Sequence, residues 1–168
     1  EYLPVAGPLH QAPRSPRIQQ LVGSFMRLGQ NLQRQQIPFV LIDHEYLQRS
    51  RPDVKGKLCL GNLQLDTIVI PAGVEFPEKV QTILTEFEKS GGRVVRDTTE
   101  APLSGKTIAE AIQPAYRLEP GNERIVLGEF EREGHPILIL VNVSKESYNG
   151  ILADGNRGAW KKLGPATG

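Results

Sequence analysis

Between Leu63 and Val95 the spacing of apolar residues changes period twice, and each change marks an element. Thr67-Ile68-Val69-Ile70 is a mostly β-branched run without polar alternation, the pattern of a strand buried on both faces of a parallel sheet. Pro71 ends it. Pro77 then suits the first helical position, where its missing N–H costs nothing, and Val80, Ile83, Leu84 and Phe87 follow as one apolar stripe. Gly91 and Gly92 are expected to supply the left-handed residues that stop this helix, and Arg93-Val94-Val95 opens the next strand. Strand, helix and strand together predict a βαβ unit, with its two strands parallel.

The same patterning extends to both sides. Four prolines, Pro4, Pro8, Pro13 and Pro16, make residues 1–16 an extended linker or arm. Ser15-Pro16 starts a helix whose stripe is Ile18, Leu21, Val22, Phe25, Leu28 and Leu32, running to about Gln36. Gly23 and Gly29 lie inside that helix, and a close approach of its backbone to the sheet would explain them. Phe39-Val40-Leu41-Ile42 reads as another buried strand ending at Asp43, followed by a helical turn through Glu45, Tyr46 and Leu47. Residues 49–62 are polar, with Lys57 to Leu60 as a short hairpin strand on which Leu63 pairs back. Thr107 to Ile112 forms a small helix before Pro114.

From Glu123 the pattern becomes antiparallel. Ile125 to Phe130 and Ile137 to Val143 are strands joined by a turn at Glu133-Gly134, with Pro136 at the edge. Gly150 to Ala153 and Ala159 to Leu163 follow, separated by Asp154-Gly155-Asn156. Four strands fall short of the roughly seven of a sandwich, so this region reads as a partial one. The expected organisation is an arm over 1–16, a flavodoxin-like α/β domain with a parallel sheet flanked by helices over 17–120, and an antiparallel β segment over 121–168, the boundary falling near Pro120-Gly121.

Composition narrows the function classes. Twenty basic and 19 acidic side chains in mixed order give a formal charge of +1, which offers no electrostatic case for nucleic acid or an anionic membrane. Gly 17 and Pro 13 in 168 residues stay below the roughly 25–30% of low-complexity chains, so a folded, turn-rich protein is expected. The single cysteine, Cys59, excludes an intrachain disulfide and a cysteine-built zinc site. No apolar run approaches the roughly 18 residues of a membrane helix, and EYLPVAGPLH lacks the regions of a signal peptide. Because residue 1 is Glu and not Met, the chain is expected to begin inside a longer gene product. The compartment stays open between periplasmic or secreted and cytoplasmic.

QNLQRQQIPFVLIDHEYL, followed by KLCLGNLQLDTIVIPAGVEFPEKVQTILTEFEKSGGRVV, resembles the flavodoxin-like or amidotransferase-like middle domain of large bacterial glycoside hydrolases. The α-L-rhamnosidase kind is the nearest, and the trimerisation domain of certain β-galactosidases is more distant. That pattern has a strand ending in Asp, a hairpin approaching a second Asp through a glycine, a strand running into Pro and a helix ending in Gly-Gly. Gly61, Leu65, Asp66, Pro71, Gly91 and Gly92 occupy those places. ILILVNVS and GAWKKLGPATG are similar to the start of the β domain that follows in such enzymes, with Gly164 where an Asp is common. The resemblance implies that the catalytic barrel and its carboxylates lie upstream, that the central first strand of the sheet is either Leu3 to Ala6 or outside this sequence, and that the partner is that catalytic domain or a second copy.

Candidate chemistry is sparse. Asp43 and His44, Gly73, and Arg96 with Asp97 would follow strands at the carboxyl edge, where open α/β sheets bind ligands such as a sugar. The plainer alternative is that Asp43 caps the next turn and Asp97 pairs with an arginine. A catalytic pair would need carboxyls about 5–5.5 Å or 6.5–9.5 Å apart across a cleft. Cys59 invites comparison with an amidotransferase nucleophile, but KLCLGN has no helix behind it, and a small apolar role fits better. PAGVEFP lacks the hydroxyls and glycines of a phosphate loop, so neither flavin nor another cofactor is expected. Trp160 with Tyr148 can stack on a sugar ring or close the small β core. Asn142-Val143-Ser144 matches a glycosylation sequon by coincidence of a predicted strand.

Overall fold

The structure is a computed structural model and describes residues 15–155. Among the described residues four helices and nine strands follow in the order α1 (Pro16–Arg34), α2 (His44–Leu47), β1 (Arg51–Pro52), β2 (Leu58–Leu60), β3 (Leu63–Leu65), β4 (Thr67–Ile70), α3 (Glu78–Lys89), β5 (Arg93–Arg96), α4 (Gly105–Ile112), β6 (Tyr116–Glu119), β7 (Ile125–Arg132), β8 (His135–Asn142) and β9 (Ile151–Asp154). They group into two compact units, one holding the described residues up to Gly29 with Leu41–Ser104, the other Gln30–Val40 with the described residues from Gly105 on. The division after Ser104 falls ahead of the expected boundary at Pro120-Gly121.

In the first unit the βαβ pattern folds as its spacing predicts. β4 and β5 pair in parallel, Thr67 opposite Arg93 and Ile70 opposite Arg96, and α3 connects them. Val80, Ile83, Leu84 and Phe87 on α3 are buried with Leu47, Leu58 and Ile70 in one core cluster. Pro77 stands at the helix N-cap, and at the far end the Gly92 N–H donates to the Phe87 carbonyl. Only Gly91 is left-handed, with φ +100°. Gly92 serves a different need: a Cβ there would stand 2.0 Å from the Phe87 ring. β1, β2 and β3 form a separate antiparallel meander, with Leu60 opposite Leu63 as the hairpin pattern predicts.

The expected flavodoxin-like sheet reduces, among the described residues, to this two-stranded parallel ladder. Phe39 to Ile42 forms no strand pairing, and Phe39, Val40 and Leu41 are exposed. An apolar run becomes a strand only where a neighbour takes its N–H and C=O groups, and among the described residues none does so.

The second unit is antiparallel where strands occur. β7 and β8 form a hairpin with Ile125 opposite Asn142, and β6 pairs with β9, Tyr116 opposite Asp154. The strand expected over Gly150 to Ala153 forms as β9 and pairs with β6, and Ala159 to Leu163 lies outside the described residues. Tyr116, Leu118, Ile125 and Leu127 are buried.

Candidate functional site

α1 buries Ser24, Leu28 and Leu32, while Val22 and Phe25 of the predicted stripe are exposed. The buried face therefore passes through a hydroxyl, and that hydroxyl meets the carboxyl ends of both parallel strands. Ser24 Oγ accepts the Ala72 N–H just beyond β4 at 2.7 Å and donates to Asp97 Oδ2 just beyond β5 at 2.5 Å. Arg27, one helical turn on, donates through Nη2 to the same carboxylate oxygen. The Leu103 N–H supplies the other oxygen, Asp97 Oδ1, at 2.7 Å. Asp97 is thus a buried carboxylate with three donors, two from α1 and one from the loop after β5, and its side chain has no exposed surface. Such a carboxylate is stable because it is paired and hydrogen-bonded.

Beside this cluster is a cavity of about 220 Å³ lined by Gln19, Gln20, Ser24, Arg27, Ala72 and Thr99 among others. Gln20 Nε2 donates to Thr99 Oγ1 at 3.3 Å, and Arg27 Nε is buried without a hydrogen-bond partner. None of the described residues lining the cavity is acidic. Gly73, φ +81°, lies next to Ala72, with the Gln20 amide 4.0 Å from where its Cβ would be. Gly23 meets nothing within 4 Å, so the close approach expected for it is not found.

No family model, curated protein or solved structure matches the chain.

The other described residues suggested by sequence are not among those that hold Asp97. Asp43 is the N-cap of α2, its Oδ1 accepting the Tyr46 N–H at 2.8 Å, and His44 is exposed in the same turn. Arg96 forks onto Glu88 of α3 at 2.9 and 3.3 Å. That hydrogen bond holds the Glu88 carboxyl below its ordinary value, partly opposed by burial. Trp160 lies outside the described residues, and Tyr148 donates its hydroxyl to the Pro120 carbonyl at 2.7 Å. Asp66 pairs with Lys57. Cys59 sits in mid-strand on β2, opposite Gln64 and Arg51, and not at a strand-to-helix elbow. The Asn142 side chain closes a local turn, Nδ2 to the Glu146 carbonyl at 2.7 Å.

Among the described residues no group of three or more His, Cys, Asp or Glu could hold a metal ion, and no helix is long and apolar enough to cross a membrane. The sequence pattern singles out Asp97, and Gly73 next to Ala72, but not Ser24, Arg27, Gln20 or Thr99. The available signal was Ser24 itself, a hydroxyl at a stripe position between Leu21 and Leu28.

Proposed function

We propose that this chain is a non-catalytic structural and oligomerising segment of a carbohydrate-active glycoside hydrolase, whose catalytic barrel stands elsewhere in the parent protein. One observation carries the non-catalytic part. The carboxylate at the carboxyl edge, Asp97, is buried and already accepts from Ser24, Arg27 and the Leu103 N–H. A glycosidase acid or nucleophile has to face substrate across a cleft with a second carboxyl in reach, and no acidic residue is among those lining the adjacent cavity. The hydrolase context is supported by the resemblance of residues 30–95 to the middle domain of α-L-rhamnosidase-like enzymes. On this reading β4 and β5 belong to a flavodoxin-like sheet that further strands complete. The test is hydrolysis of a panel of aryl glycosides by the folded chain. No turnover above buffer is expected, and enzyme-like turnover overturns the reading.

A second reading is favoured by the cavity. Gln20, Thr99 and Arg27 offer amide, hydroxyl and guanidinium groups to a small sugar at the edge of α1. Calorimetric titration with monosaccharides separates the two, because heat that disappears in Gln20→Ala requires the binding module, and the absence of heat with every sugar removes it.

A further inference from the structure

Strand β8 is apolar on both faces, and among the described residues it is paired along one edge only. Residues 136–143, Pro-Ile-Leu-Ile-Leu-Val-Asn-Val, contain no charged side chain. Ile139, Leu140, Val141 and Val143 are all more than two-fifths exposed. Among the described residues β8 pairs only with β7. The Val143 N–H donates to the Arg124 carbonyl at 2.9 Å, and strand residues alternate in direction. Ile137, Ile139 and Val141 therefore point their backbone groups at β7, and Leu138, Leu140 and Asn142 point theirs outward. Pro136 falls on the outward side, where its missing N–H leaves the hairpin ladder intact. Natural edge strands are usually blunted by charge, bulge or cover, and over residues 137–141 this one has no such charge.

We propose that the edge of β8 turned away from β7 pairs antiparallel with β8 of a second copy of this chain, about a two-fold axis through Ile139. The sequence is self-complementary in that register. Leu138 faces Leu140 of the copy, and because both point outward they exchange N–H···O=C bonds in both directions. Ile137 faces Val141 and Ile139 faces itself, so every residue from 137 to 141 meets an apolar partner. The Asn142 N–H reaches the Pro136 carbonyl at each end. On one face Ile137, Ile139 and Val141 continue the apolar surface of Val126 and Phe130, which lie across the hairpin from Val141 and Ile137. The charges of β7, Glu129, Glu131 and Arg132, lie on the far strand and do not oppose the approach. Two-fold pairing uses the same patch twice and closes the edge. The proposal names a partner for the oligomerising role above, and rests on that reading only for its purpose.

The experiment is sedimentation equilibrium of the whole chain from ~1 to ~100 µM, since a strand-pair interface belongs to the small, weak class. Wild type should pass from monomer to dimer over that range. Ile139→Lys and Ile139→Glu place like charges together on the axis, so each alone should be monomeric, and an equimolar mixture should recover the dimer. Leu140→Pro, which removes an outward N–H and no hairpin bond, should also be monomeric. A wild-type monomer throughout overturns the proposal. So does a dimer that survives Ile139→Lys, or a loss that mixing fails to restore. Glycosidase turnover by a wild-type dimer would instead overturn the non-catalytic reading and leave the pairing standing.

Discussion

Ser24 Oγ and Asp97 Oδ2 lie 2.5 Å apart, 73 residues distant in sequence, and the same Ser24 oxygen takes the Ala72 N–H. One hydroxyl thereby ties α1 to the ends of both parallel strands. Removing it in Ser24→Ala leaves a buried N–H and a buried carboxylate each short of a partner. The expected loss is about 1–3 kcal/mol, read as a lower denaturation midpoint with unchanged m. An unchanged midpoint would show that the hydroxyl contributes nothing net.

Tyr116 is buried, and burial first, then its hydrogen bond to Glu129 and the charges of Glu129 and Asp154, push its phenol well above the ordinary value of 10.0. A raised pKa in the folded state means that the neutral phenol is favoured by folding. Its stability contribution is therefore complete below about pH 10 and declines as pH rises through the unfolded value toward the folded one. Tyr116→Phe should flatten the fall in stability above pH 10. An equally steep fall in that variant would assign the effect to another group.

Glu88 shows the opposite sign, lowered chiefly by its hydrogen bond to Arg96. Its contribution is present above 4.5 and disappears as pH falls through the lowered value. The pair is partly exposed, so the gain is about 0.5 kcal/mol. In Arg96→Gln the stability difference from wild type should be visible at pH 7 and vanish at low pH, which thermal melts across the acid range would show.

Two glycines should respond in opposite directions. A Cβ on Gly56, φ +74°, would stand 2.8 Å from the Gly91 carbonyl carbon and 2.9 Å from the Gly92 nitrogen, backbone atoms that cannot swing aside. Gly56→Ala should cost about 2 kcal/mol or more. Gly23, in mid-helix with open space around it, should gain about 0.5–1 kcal/mol as Ala. Thermal unfolding of both variants provides the comparison.

What the sequence made legible is local. Val80, Ile83, Leu84 and Phe87 announce a helix because their spacing alone places them on one face, and Gly134 announces a hairpin because the turn needs a left-handed residue there. Phe39 to Ile42 misled because a strand is a property of two segments, and apolar pattern reports only one. Tyr116-Arg117-Leu118-Glu119 alternates buried and exposed, a legible strand signal hidden by the proximity of Pro114 and Pro120. The carboxyl-edge cluster was half visible: Asp97 stood out as a carboxylate after a strand, but its partners Ser24 and Arg27 arrive from a helix some 70 residues earlier. No short-range pattern connects them.

On the proposed reading Asp97 braces the carboxyl edge of the parallel pair and does no chemistry there, and equilibrium unfolding of Asp97→Asn separates a bracing role from a functional one. The substitution keeps the shape and removes the charge that three donors address. A bracing Asp97 should cost about 3 kcal/mol when replaced, moderated by the partial exposure of Arg27. A carboxylate maintained for function at the expense of the fold would behave oppositely, since replacing such a residue commonly leaves stability unchanged or raises it. An Asp97→Asn chain as stable as wild type, or more so, would contradict the account.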